Sequence, residues 1–344
     1  MLAILESAFG SWSAREGEAA RLEHLSWKLE APCGGFSVLG RKGERLVTLM
    51  NVVRSRVRLA GKERDRLAVV DAAVHREHQG EGYGRPRYEI FNATEVARAP
   101  HLRITRAVHP AIEKVLADQR HRPLAAPVHP LLRVFDVRRC GADWLAGEGV
   151  PAPTAVAFAL AGAGAIGRLA GPGSAPAADL EIETADRPAA DAEDLFTRCA
   201  AAFELIGVRS REQLSWRYFD SRGGRFEMRS ARVGGRLMGY AVTKVEGRRG
   251  YLVDVLAEPG RSDVASALVA DAVLRLRRAE VSGVLCWCPR HHPLRPILRR
   301  HGFADPRRRL RLLFRAEKLG ADEIAVLESP SSRIHFMLGD TDEV

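Results

Sequence analysis

The sequence predicts an α/β protein built from two tandem copies of one unit, each a mixed, mostly antiparallel sheet flanked by helices. Three observations predict it. Four landmarks recur in the same order: Leu25-Ser26-Trp27-Lys28 and Leu214-Ser215-Trp216-Arg217, a Gly-Gly close before Phe36 and Phe226, a Val-Asp at Asp71 and Asp254, and a His-Pro at His109-Pro110 and His292-Pro293. The last two pairs are each 183 residues apart, and a fixed period over ordered landmarks is the signature of duplication. In each copy the pattern runs helix, three strands, helix, strand, helix, strand, which builds an α/β layer. A length of 344 residues accommodates two domains at roughly 100 to 200 residues each.

The boundaries follow as residues 1–140, a linker over 141–178, and residues 179–344. Residues 1–18 lack the basic start and long apolar core of a secretory leader and read as a first helix. Residues 36–39 and 45–50 read as strands joined by Lys42-Gly43-Glu44, and residues 67–74 as the strand around Asp71. In the second copy helices are expected over residues 191–203, 263–278 and 293–301. Strands are expected over 226–231, 236–245, 250–256, 283–288 and 310–314. The linker is dense in Gly, Pro and Ala around one short apolar helix. Its Gly162-x-Gly164-x-x-Gly167 follows an alanine-rich, helix-like run instead of a β-rich strand. It therefore reads as a small-residue helix face or a hinge, not as a dinucleotide fingerprint.

Composition narrows the class. With 46% hydrophobic and 28% charged residues the chain is globular. Residues 155–167 are too few and too rich in Ala and Gly to span a bilayer. The five cysteines are odd in number and scattered, so no disulfide framework is implied and a reducing cytoplasm is the expected compartment. The net charge is +10, and six of the 53 basic residues are lysine, so the charge is carried by arginine. No basic-plus-aromatic motif accompanies it, which argues against a nucleic-acid partner. Peripheral contact with a membrane, helped by the linker helix, is the weaker expectation.

The chemistry-bearing segment follows the first Val-Asp strand: Ala73 and Val74, then His75-Arg76-Glu77-His78-Gln79-Gly80-Glu81-Gly82-Tyr83-Gly84-Arg85. A strand that runs through a glycine-rich turn into a helix leaves consecutive backbone N–H groups pointing one way, a cradle for phosphate oxygens. Glycines let the backbone approach without a Cβ in the way, and Arg76 and Arg85 can add charge.

Gln79-x-x-Gly82-x-Gly84 after a strand resembles the acyl-CoA pyrophosphate loop, [QR]-x-x-G-x-[GA], of the GCN5-related N-acetyltransferases. The order of elements, a His-Pro where that family often has Asn-Pro, and Leu298-Arg299-Arg300-His301-Gly302-Phe303 extend the likeness over both copies. The tryptophan-bearing openings and the ending Gly339-Asp340-Thr341-Asp342 resemble, more narrowly, double-domain bacterial members linked to surface-polysaccharide clusters. The resemblance implies acetyl-CoA or another acyl-CoA as cofactor, bound by Ala73, Val74, Arg76, Gln79, Gly80, Glu81, Gly82, Tyr83, Gly84 and Arg85. It implies acyl transfer to an amine by direct attack, the acceptor being a small molecule, an amino sugar or a peptide. The second copy reads Glu258-Pro259-Gly260-Arg261-Ser262 at this place, so the first is expected to hold the cofactor and the second to shape or cover the acceptor site.

Amine attack on a thioester needs a base, an oxyanion donor and a proton for the thiolate. Asp71 is the carboxylate on the strand where the family often carries its base. Its other reading is structural, because Asp254 recurs in the copy without the loop. The family's tyrosine acid would fall near Leu116, which cannot donate a proton, and His109 at the helix opening is the alternative donor. Cys286-Trp287-Cys288 with His291 and His292 lacks the knuckle spacing of a structural zinc site, so buried strand cysteines are expected and no metal. Trp27 and Trp216 are expected to pack a core or an interface. The rival class is a non-catalytic binding or scaffold protein, favoured by the missing tyrosine and the lost second loop.

Overall fold

The computed structural model describes residues 1–10, 12, 17–96, 101–107, 110–146, 150–169, 179–306 and 308–341. The first elements are α1 (Leu2–Phe9), α2 (Glu18–Leu29), β1 (Gly35–Lys42), β2 (Arg45–Leu59), β3 (Lys62–Val74), α3 (Gly84–Val96), β4 (His101–Arg106), α4 (Pro110–Asp118) and β5 (Arg122–Pro123). Next come β6 (Val128–Val134), α5 (Val137–Cys140), α6 (Pro153–Leu169), β7 (Leu180–Ala185), α7 (Ala192–Ala200), β8 (Leu205–Gly207) and α8 (Arg211–Leu214). Then follow β9 (Phe226–Val233), β10 (Arg236–Glu246), β11 (Arg249–Ala257), α9 (Ser262–Arg278), β12 (Gly283–Pro289), α10 (Leu294–Arg300), β13 (Leu312–Glu317), α11 (Ala321–Glu328) and β14 (Ile334–His335).

Two compact units result, Met1–Ala125 with Arg311–Glu328, and Ala126–Leu310 with Ser329–Val344. They cross the sequence halves of residues 1–140 and 179–344. In the first unit the strands run β1, β2, β3, β4, β13, β5; in the second they run β7, β9, β10, β11, β12, β6. Strand β6, which follows the first copy's last helix, pairs with β12, while β13 pairs with β4. Within each of these strand orders the neighbours are antiparallel except for one parallel pair, β3 with β4 and β11 with β12, where a helix makes the crossover that parallel strands require; the short β8 and β14 also pair in parallel.

The duplication is visible in the register. Asn51 pairs with Asp71 and Val52 with Val69, so Val70 is an extra residue in β3. Val242 pairs with Asp254 and Thr243 with Leu252, so Val253 is the same extra residue in β11. A bulge kinks its strand. The parallel pairings stop after three residues, at Leu67 with Arg103 and at Tyr251 with Leu285, so in each unit the strand carrying the aspartate parts from its neighbour beyond that point.

Alternation along the strands puts Met50, Val52 and Leu67 against Tyr88 and Phe91 of α3, and Leu49 and Ala73 against Leu5 and Trp12. In the second unit α9 buries Val264, Leu268, Ala272, Val273 and Leu276, at helical spacing, on Leu252 and Val255. The glycine-rich motif of α6 is a packing face: a Cβ on Gly167 would stand 2.5 Å from the Arg299 carbonyl oxygen, and Gly164 abuts the Gly302 carbonyl. Among the described residues no helix is long and apolar enough to cross a membrane.

Candidate active site

Strand β3 leaves its neighbour and runs through a single turn, Arg76–His78, into Gln79 and then α3. Gly80 and Gly82 have φ of 89° and 86°, left-handed values that L side chains rarely adopt, and a Cβ at either position would meet nothing within 4 Å. The space that side chains at these two positions would take is therefore open, and α3 begins at Gly84 directly after them. The base of the loop is tied down: the Arg76 amide donates to Ser7 Oγ at 2.9 Å, and Gln79 Nε2 reaches the Val74 carbonyl at 3.4 Å.

Charge in the loop is largely paired. Glu81 accepts from Lys42 Nζ at 3.0 Å and lies 3.1 Å from His78 Nδ1, and these two hydrogen bonds hold its pKa below the ordinary value. Arg85 pairs with Glu89 at 2.8 Å, Tyr83 stands edge-on to His78, and Arg76 is exposed. A residue that the motif did not single out fixes the floor. Arg87 is buried, and its Nη1 donates to Thr48 Oγ1 at 2.7 Å and to the Leu49 and Ala73 carbonyls at 2.9 Å each. Burial lowers its pKa. The sequence signal was an arginine one turn into the helix, on the face shared with Tyr88 and Phe91.

Asp71 is buried and fully engaged. Its Oδ1 accepts from Trp12 Nε1 at 2.8 Å, its Oδ2 from Asn51 Nδ2 at 3.1 Å, and Lys28 Nζ stands 3.1 Å from both oxygens. This ties α2 and the segment after α1 to the bulged strand, so the Trp-Lys landmark and the Val-Asp landmark are partners in space. Leu116 lies in the core, with no exposure. His109 and Val108 lie outside the described residues.

The equivalent aspartate of the second unit is more heavily tied. Asp254, with no exposure, accepts from Arg209 Nε at 2.9 Å, Tyr240 OH at 3.0 Å and Tyr218 OH at 3.2 Å, and pairs with His335 Nε2 at 3.1 Å. Burial works against its charge, but Arg209 and His335 outweigh it and hold the carboxyl well below the usual range. His335 Nδ1 in turn meets His292 Nε2 at 3.0 Å, and His292 Nδ1 accepts the Leu294 N–H at 3.0 Å. An accepting Nδ1 on His292 fixes the proton on its Nε2, so the chain donates from His292 to His335 to Asp254. Both imidazoles line a cavity of about 210 Å³ that opens at the end of β11, where Glu258 to Ser262 lead into α9. Glu258, Arg261 and Ser262 line the loop side, and the rest of the wall is apolar, including Phe203, Leu256, Ala265 and Ile297. Its place in the unit corresponds to the glycine loop of the first. Cys286 and Cys288 are buried in β12, and burial pushes the Cys288 thiol up to about 12. Trp27 is buried and stacks on His24.

Two units, each with a bulged strand parting from a parallel neighbour across a helix, define a two-domain α/β protein of the acyltransferase fold known from GCN5-related N-acetyltransferases. Solved structures agree in fold. A conserved protein of Enterococcus faecalis V583, described as a "probable N-acyltransferase", superposes with a TM-score of 0.59 at 12% identity, over 92% of this chain and 69% of that one. Saccharomyces cerevisiae N-myristoyltransferase with bound myristoyl-CoA gives 0.55 at 14%, over 96% and 79%. A tandem protein of the same fold from the clavulanic acid biosynthesis pathway gives 0.50 at 14%, over 93% and 94%. No protein-family model matches this sequence, and no curated protein matches it.

Proposed function

We infer that the protein is an acyl-CoA-dependent N-acyltransferase whose first unit holds the cofactor. The observation that carries this is the junction of a parted strand, two left-handed glycines and a helix start at residues 74–84. The pyrophosphate would rest on the loop amides, with Arg76 as the exposed cation, and the thioester would lie along β3 where it has left β4. The acceptor amine attacks the thioester carbon, the C–S bond breaks, the ammonium gives up one proton, and the CoA thiolate takes one up. His109, preceding the helix that Pro110 opens, is the proposed source of that last proton. The acceptor class is an amine on a small molecule, an amino sugar or a peptide.

Calorimetric titration with acetyl-CoA tests the loop. Gly82→Asp adds a strained side chain and a negative charge where phosphates belong, so affinity should fall at least tenfold. Because that Cβ meets nothing, the fold should persist in circular dichroism. Normal affinity in this variant overturns the assignment.

The cavity of the second unit favours a second reading, in which that unit holds the thioester. Ser262→Asp at the start of α9 then removes binding and Gly82→Asp does not; the first reading requires the reverse. If acetyl-CoA binds but no thiol is released with any amine in a panel, the protein is a binding module and not an enzyme.

Asp71 has an anchoring role on its contacts. Asp71→Asn should lower the melting temperature by several degrees while changing kcat by less than about threefold. A kcat lost at unchanged stability would instead make it the base.

A further inference from the structure

Helix α6 carries the three most exposed large apolar side chains among the described residues, Leu169 at 84%, Phe158 at 72% and Ile166 at 71%. At 100° per residue they fall within an arc of about 80°, with Ala155 and Gly162 between them. The opposite face is buried through Ala157, Leu160 and Gly164. From Pro153 to Gly167 the helix has no charged residue. A helix that is apolar all round is normally covered all round, and this one presents its outer face to solvent.

Beside the C-terminal end of that helix, guanidinium groups gather, and among the described residues Arg133, Arg168, Arg277 and Arg300 form no ion pair with a carboxylate. Arg168 Nη1 and Arg133 Nη1 both lie within 3.4 Å of the point where a Cβ on Gly302 would stand. The Nε atoms of Arg133 and of Arg300 are buried with no hydrogen-bond partner. Burial, then the charges of Arg168 and Arg277, lower the Arg133 pKa to about 10. Burial, then Arg133 and Arg300, also hold down the His301 imidazole. Elsewhere in this unit arginines such as Arg198 and Arg229 do meet carboxylates, Glu258 at 3.0 Å and Asp271 at 3.0 Å. Helix C-termini attract cations, which explains Arg168, Arg277 and Arg300. It does not explain Arg133, which stands half-buried on a strand.

We propose that the second unit docks on an anionic phospholipid surface through α6, which buries Phe158, Ile166 and Leu169 at the acyl boundary while Arg168 and Arg277, the exposed members of the cluster, take lipid phosphates. The two features complement the two layers of such a surface, apolar chains and phosphate anions.

Co-sedimentation of the full-length protein with vesicles tests this. Binding should be at least tenfold stronger to phosphatidylcholine vesicles containing 30% phosphatidylglycerol than to phosphatidylcholine alone, and should be lost in 0.5 M NaCl. Each cation near an anionic surface strengthens binding roughly fivefold, so Arg168→Glu with Arg277→Glu, both exposed, should weaken it more than tenfold. Phe158→Ser with Ile166→Ser should do the same, with an unchanged circular dichroism spectrum and unchanged acetyl-CoA titration. Equal binding to both vesicles, or wild-type binding by both double variants, overturns the proposal. So does full competition by 5 mM inorganic phosphate, which would make the cluster a small-anion site. A dimer seen by sedimentation velocity and lost in the Phe158/Ile166 variant, without lipid binding, would make the face a contact between copies and overturn it equally.

Discussion

Asp254→Ala should destabilise the second unit by about 4 kcal/mol, the cost of breaking one buried ion pair and leaving buried hydroxyls without their acceptor. The carboxylate has four donors, and Arg209 beside it is 5% exposed. With Asp254 gone, Arg209 keeps Asp340 at 2.9 Å, while the hydroxyls of Tyr218 and Tyr240 lose the carboxylate they share. Each buried donor left without an acceptor adds about 1 to 3 kcal/mol. Urea denaturation should show the midpoint moved down by a large fraction of its wild-type value, and Asp254→Asn, which keeps an acceptor oxygen, should lose about half as much. A shift under about 1 kcal/mol for the alanine variant would mean that the cluster is not what holds the end of the chain to β11.

The comparison of the two aspartates shows how a duplicated fold kept an anchor while changing its partners. Both sit one residue after a bulge, and both tether an N-terminal segment of their unit to the parted strand. In the first unit the cation is Lys28 and the neutral donors are Trp12 and Asn51; in the second they are Arg209, Tyr218 and Tyr240. A carboxylate retained in both units, beside a glycine-rich loop in one and Glu258-Pro259-Gly260 in the other, is better explained by this tether than by proton transfer.

Much of this was legible in the residues. The 183-residue offset of Asp71 and Asp254 exposed the duplication, and alternation or helical spacing placed β9 to β12 and α9 within a residue or two of their ends. Strand β2 runs to Leu59 where the pattern suggested residue 50, because the charged 54–58 segment is carried by cross-strand pairing with β3 and not by its own apolarity. The exchange of β6 and β13 was not legible, since which sheet edge a terminal strand joins depends on long-range pairing that local pattern does not encode. The cavity of the second unit was missed for a related reason. Pro259 and the absent glycines described the loop, whereas the space is set by Phe203, His292 and Ile297, which are distant in sequence.

Stability should fall as pH drops below 6.5, chiefly through two buried histidines, His121 and His292, that fold in the neutral form, while burial shifts His129 and His301 the same way. His121 has its Nδ1 at 3.1 Å from the Leu116 carbonyl; burial, then the charge of Arg103, lowers its pKa to about 4. His292 is held well below its ordinary value by burial and then by His335. An unfolded imidazole titrates near 6.5, so between that pH and the lower folded value the unfolded chain binds the extra proton. The contribution is therefore complete above about pH 6.5 and is withdrawn as pH falls towards the folded pKa, by at most about 1.4 kcal/mol per pH unit for each histidine. For His121 the window runs from 6.5 to about 4. Asp254, whose folded pKa is depressed, withdraws its own contribution only below the unfolded carboxyl value of about 4, so the two effects separate on the pH axis. Urea midpoints measured at pH 7.5, 6.5, 5.5 and 4.5 should be nearly level across the first interval and fall across the next two. His121→Gln and His292→Gln should each flatten that fall, and the exposed His291→Gln should leave its slope unchanged. A wild-type curve that stays level to pH 4.5, or a slope untouched by both substitutions, would show that neither imidazole folds in the neutral form.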